Sequence, residues 1–186
     1  MAGLATGNGF PNVVVTGVAM TTALASDADS TWKALLDGQS GIRTLNDEFV
    51  EKYDLPVRIG GHLVEEFDGE LTRVELRRLS YLQKMSTVLG RRVWQNAGSP
   101  EVDLKRLMVS IGTGMGSTEE MLFAYDGMRE RGLRAVSPLV VQMYMPNGAA
   151  AAVGLELKAK AGVITPVSAC ASGSEGIAQA WRQIVL

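Results

Sequence analysis

The sequence predicts an α/β fold built on a parallel sheet with helices on both faces. Three apolar or β-branched runs, Val13–Val18, Leu107–Ile111 and Val163–Val167, read as buried strands. Helical spacing fills the intervals between them, the alternation that produces parallel strands. The 21 glycines suit short connections and close backbone approaches.

Taken in order, residues 1–11 read as a mobile arm and residues 12–186 as the folded unit. Asp27 or Ser26 can cap a helix that presents Trp32, Leu35 and Leu36 on one side and stops at Gly38. Val57–Leu63 reads as a short edge strand. The pattern from Thr72 to Ala97 is helical, broken near Ser80, with Leu82, Met85, Val88, Leu89 and Val93 on one apolar stripe. Lys105–Arg106 reads as the solvated edge of the strand Leu107–Ile111. Ser117 and Glu120 have capping-box spacing for a helix that ends at Gly132. Ser137–Pro138 starts another helical turn, and Asn147 can cap the alanine-rich run that follows. Gly162 then turns into the strand before Cys170.

The composition, 46% hydrophobic and 20% charged over 186 residues, is that of a globular chain with a sizeable core. A net charge of −2 implies no broad basic surface for nucleic acid. A single cysteine excludes an internal disulfide and suits a reducing cytoplasm. Residues 1–12 lack the pattern of a secretory signal, and Val13–Ala25 is too short and too threonine-rich to span a bilayer.

Cys170 is the candidate nucleophile. It stands where the strand Val163–Val167 ends and a helix with Ile177, Ala178, Ala180, Trp181, Ile184 and Val185 begins. The backbone N–H groups and positive dipole end of that helix are expected to face the sulfur and favour the reactive thiolate. Ala171, Ser172, Gly173 and Ser174 leave room beside it for a substrate. The alternative is that a lone cysteine serves as a small buried hydrophobe. The loop Gly112–Ser117 fails the G-x-G-x-x-G test at Ser117 and lacks the Gly-Lys-Ser/Thr ending of a phosphate loop. Its glycines read as close backbone packing after a strand. His62, the only histidine, has no sequence tie to Cys170, and no residue set could hold a metal.

Three motifs together resemble β-ketoacyl-acyl-carrier-protein synthases. They are Thr165–Gly173 around Cys170, Met145–Ala151, and Gly112–Gly116. The resemblance covers nearly the whole chain and is strongest to the mycobacterial members that extend meromycolic acid precursors. It implies the thiolase fold, two similar halves stacked α-β-α-β-α, each with a five-stranded sheet. This chain would cover most of the N-terminal half, with a mixed, mainly parallel sheet. It further implies a homodimer in which Cys170 takes an acyl chain from acyl carrier protein as a thioester before condensation with malonyl carrier protein. No cofactor is implied. Met115 matches the bulky gate of the acyl pocket, and Met143, Met145 and Pro146 match a segment lining the partner's acyl channel. Leu122 and Tyr125 match a helix beside that channel, and Val163–Val167 matches the strand that pairs across the two-fold axis. A core role for these side chains stands beside each lining role.

Family members are roughly twice this length and carry two catalytic histidines, a lysine and a glycine-rich loop in their second half. His62 fits neither histidine motif. A fragment or a truncated product is therefore expected, competent for acyl transfer and not for condensation. The alternative is an inactive remnant or an interaction protein that pairs with a full-length paralogue.

Overall fold

The computed structural model describes residues 9–186. The arm expected over residues 1–11 lies, for residues 1–8, outside the described residues. Next to it, the Phe10 ring meets Trp181 edge-on with centroids 5.9 Å apart.

Helix α1, Ala28–Leu36, starts where the Asp27 carboxylate accepts the Ser30 N–H at 2.8 Å, and Gly38 follows it at φ 68°. Its buried face is the reverse of the one expected. Thr31 and Ala34 are buried, while Trp32, Leu35 and Leu36 are exposed. The reason is polar: the Thr31 hydroxyl bonds the Thr22 hydroxyl at 3.1 Å, which anchors that side of the helix to the turn before it. Strands β1 (Arg43–Thr44) and β2 (Ile59–Gly60) form a short antiparallel pair around helix α2 (Glu48–Lys52), in line with the expected edge strand.

The helical stretch breaks at Ser80, as expected, into α3 (Arg73–Arg78) and α4 (Tyr81–Asn96). Each begins with a reciprocal capping box, Thr72 with Glu75 and Ser80 with Gln83. Of the expected apolar stripe only Val88 is fully buried, beside Gln83, Ser86, Thr87 and Gly90. Close packing against α7 (Gly148–Glu156) explains the choice of small and hydrogen-bonded residues. A Cβ at Gly90 would lie 3.1 Å from Val153, and one at Gly148 2.5 Å from the Gln83 amide nitrogen.

Val13–Val18 is not a strand. Val14 and Val15 are 74% and 83% exposed, and the segment rests on the end of α4, where the Val18 N–H donates to Asn96 Oδ1 at 2.9 Å. No neighbouring strand among the described residues offers it a ladder, so helix-end contacts take its place.

Lys105 and Arg106 lie in a single 3₁₀ turn, Leu104–Arg106, not on a strand edge. It is capped by Asp103 and leads into β3 (Met108–Ser110). Strand β4 (Gly162–Ile164) pairs with β3 in parallel, Val109 opposite Val163. Between them α7 folds back onto the pair, and Val109, Ala150 and Val153 form a core with Ile111, Leu157 and Ala159 around it. The architecture is thus mixed, one parallel and one antiparallel pair among the described residues, where the resemblance implies a single five-stranded sheet.

Helix α5, Thr118–Arg131, stops at Gly132 as expected, and α6 spans Val140–Tyr144. Neither Ser117 nor Asn147 caps its helix through the side chain, contrary to expectation. The Ser117 hydroxyl instead bonds that of Ser80 at 2.7 Å, with both residues buried. Helix α8, Ser172–Val185, closes the chain. Among the described residues no helix is long and apolar enough to cross a membrane.

Candidate active site

Cys170 is exposed and sits in a single 3₁₀ turn, Ala169–Ala171, that runs directly into α8. The strand-to-helix junction read from the sequence is present in looser form: β4 ends at Ile164 and not at Val167, Val163 and Val167 are exposed, and residues 165–168 lead from the strand to the turn. The turn is strained: Ala169 has φ 49°, a left-handed conformation that residues with a Cβ adopt at a cost of about 1 kcal/mol or more. The first amides of the junction are already used. Ala171 N–H donates to the Ser168 carbonyl at 3.0 Å, and Ser172 N–H to the Ala169 carbonyl. These two therefore do not point at the sulfur as expected, and the dipole of the 14-residue helix remains at the turn.

Two serines brace the turn, the buried Ser172 from inside and the exposed Ser168 from the surface. The buried Ser172 hydroxyl accepts the Ser168 N–H at 2.8 Å and donates to the Ala169 carbonyl at 2.7 Å. The Ser168 hydroxyl donates to Glu175 in the first turn of α8. Sequence reasoning passed over this brace; its one local signal was serine at i and i+4 across a helix start.

The Gly112–Ser117 loop is the bed of the site. A Cβ at Gly112 would lie 1.9 Å from the Ser172 carbonyl oxygen, so the first turn of α8 fits only over glycine. Gly116, at φ 69°, meets the Tyr144 carbonyl and Pro146. Thr113 joins both sides: its N–H donates to the Pro166 carbonyl at 3.2 Å and its hydroxyl to the Pro146 carbonyl at 3.1 Å. The three motifs singled out in the sequence therefore converge, and the loop serves close backbone packing as expected.

Met115, on this loop, is 72% exposed. Leu122 and Tyr125 are exposed on α5. Met143 is half-buried on α6, Met145 is exposed just beyond it, and Pro146 is half-buried against the loop. Glu120, in the first turn of α5, has its carboxyl pushed up by burial and by Glu119, with Lys84 opposing. His62 stands apart from Cys170. Its Nε2 lies 2.9 Å from Asp47 Oδ2, in a surface hollow shared with Thr44, Glu66 and Tyr81. Among the described residues no cluster could hold a metal ion.

Residues 11–186 match the family model described as "Beta-ketoacyl synthase, N-terminal domain". The chain belongs to the β-ketoacyl synthase family. This ketoacyl-synthase chain is 75% identical over all 186 residues to 3-oxoacyl-acyl-carrier-protein synthase 2 of Mycobacterium tuberculosis, of which it covers 45%. It is 76% identical over 183 residues to the protein of that name from Mycobacterium leprae, covering 98% of this chain and 44% of that one. The chain thus spans a little under half the length of these relatives. Among solved structures, a β-ketoacyl synthase from Burkholderia phymatum superposes with a TM-score of 0.77 at 28% identity, over 92% of this chain and 43% of that one. The ishigamide ketosynthase/chain length factor reaches 0.75 at 17% identity over 92% and 44%, a likeness of fold. The thiolase-like ketosynthase architecture implied by the motifs is therefore the fold of this chain.

Proposed function

We propose that this chain carries the acyl-accepting part of a 3-oxoacyl-acyl-carrier-protein synthase, with Cys170 as the acceptor. The observation that supports it best is the exposed thiol on a strained turn at the start of α8, where the three family motifs meet. In this reading the Cys170 thiolate attacks the thioester carbonyl of an acyl carrier protein. A new C–S bond forms, the carrier's thiolate leaves, and the chain rests on Cys170. The helix dipole favours the attacking sulfur and the developing oxyanion alike. Malonyl carrier protein then loses carbon dioxide, and its carbanion displaces Cys170 to give a 3-oxoacyl chain two carbons longer. The groups that drive this last step in the family fall outside these 186 residues, and His62, paired with Asp47, does not replace them.

Residues 12–186 then form part of the N-terminal ketoacyl-synthase domain, and Met115, Leu122, Tyr125, Met143, Met145 and Pro146 line the acyl channel. A flexible thioether at Met115 suits a pocket that admits a long tail. By the resemblance of its three motifs, the same reading takes mycolic acid precursors as the substrates, a homodimer joined along β4 as the assembly, and the cytoplasm as the compartment.

Alkylation tests the acceptor. Iodoacetamide and a cerulenin-type epoxide should both modify Cys170, located by peptide mass mapping, at least about tenfold faster at neutral pH than they modify a model thiol. Labelling no faster than the model thiol removes the reading.

A further inference from the structure

We propose that Ser172 is a positioning residue for Cys170, an inference that rests on Cys170 being the acyl acceptor. The backbone from Ser168 to Ser172 arches around one hydroxyl, with the cysteine on the arch. Ser172 Oγ takes the Ser168 N–H at 2.8 Å from one limb and gives its own proton to the Ala169 carbonyl at 2.7 Å on the other. Ser172 is 3% exposed, so no water replaces either bond if the hydroxyl is removed. Its backbone is fixed independently, because its carbonyl lies over Gly112. The hydroxyl therefore holds the turn to a rigid base. What it holds is Ala169 at φ 49°, a conformation that alanine leaves unless its surroundings impose it. Release of Ala169 to the right-handed region would rotate the next residue, Cys170, away from the start of α8. A displacement of that order is enough to slow a reaction that depends on alignment.

Ser172→Ala separates positioning from folding, since alanine fits the space and is the better helix former. In the full chain, the maximal rate of inactivation by an acyl epoxide should fall about tenfold, with the half-saturating concentration unchanged. Ser172→Thr, which keeps the hydroxyl, should restore the rate. So should Ala169→Gly combined with Ser172→Ala, because glycine adopts positive φ without a brace. Recovery in that double variant is not expected of a residue that merely stabilises the fold. The proposal is overturned if Ser172→Ala reacts at the wild-type rate, or if the double variant stays as slow as Ser172→Ala. Wild-type Cys170 reacting no faster than a model thiol overturns the acyl-acceptor reading itself, and this proposal with it.

Discussion

Gly112 has no Cβ because the first turn of α8 occupies its place. The ideal Cβ position is 1.9 Å from the Ser172 carbonyl oxygen and 2.9 Å from the Gly173 nitrogen, both backbone atoms that no rotamer change can move. Gly132 needs its glycine for another reason. It sits at φ 79° with nothing within 4 Å of a Cβ. The two positions make a paired prediction. Gly132→Ala should cost about 2 kcal/mol, because φ 79° with ψ 174° is a backbone that glycine alone adopts readily. Gly112→Ala should cost about 3 kcal/mol or more, because α8 must lift off the loop after β3. Urea unfolding of both variants measures the difference. Equal, small losses would mean that α8 is not seated on this loop. Alkylation of Cys170 should also slow in Gly112→Ala and stay at the wild-type rate in Gly132→Ala.

Helix α4 organises its surroundings through charge as well as packing. Arg92 makes two bonds of 2.8 Å to the Glu65 carboxylate and a further contact to Glu70, while Arg91 joins Glu75 and Glu156. The Arg92 bonds hold the Glu65 carboxyl below its ordinary value, with burial opposing and Thr21 assisting. A carboxyl lowered by folding adds stability above its unfolded value, and that stability is lost as pH falls through the folded value. Arg92→Leu should therefore cost about 1–2 kcal/mol at pH 7, discounted for partial exposure. The difference from wild type should shrink below about pH 4, as Glu65 becomes neutral in both proteins. A difference that does not change with pH would assign the cost to lost packing. The sequence made the ends of α3 and α4 legible because the break at Ser80 is a local signal. The buried faces of α1 and α4 were not legible, because Thr31 and Thr87 lie inside while Trp32 and Leu35 lie outside. Non-local contacts, the Thr22–Thr31 hydroxyl pair and the close seat of α7 on Gly90, override apolar periodicity there.

At the scale of the whole molecule the same non-locality decides what sequence reading could reach. The junction at Cys170 was legible because β-branched residues turn into small and helical ones within a few positions. Val13–Val18 was misread because a strand is defined by its neighbour, and no neighbour is present among the described residues. Surface area shows the consequence. A compact monomer of 19.9 kDa exposes about 8,700 Å² by the usual size scaling. This chain exposes 12968 Å², half as much again. The excess, about 4,300 Å² on this one chain, is more than one partner contributes to most large obligate interfaces, whose total over both partners is about 2,000–5,000 Å². It includes apolar side chains on several elements: Val14 and Val15, Phe123 on α5, and Ile177 and Ile184 on α8. Surface of that extent and composition is covered in stable proteins. The purified chain should therefore associate with itself or with a partner carrying the complementary faces, and bind an apolar-surface dye when diluted. Sedimentation velocity over a micromolar dilution series, alone and with a full-length homologous synthase, reads this directly. A dye-silent monomer that ignores the synthase would mean that these apolar faces close on one another in solution.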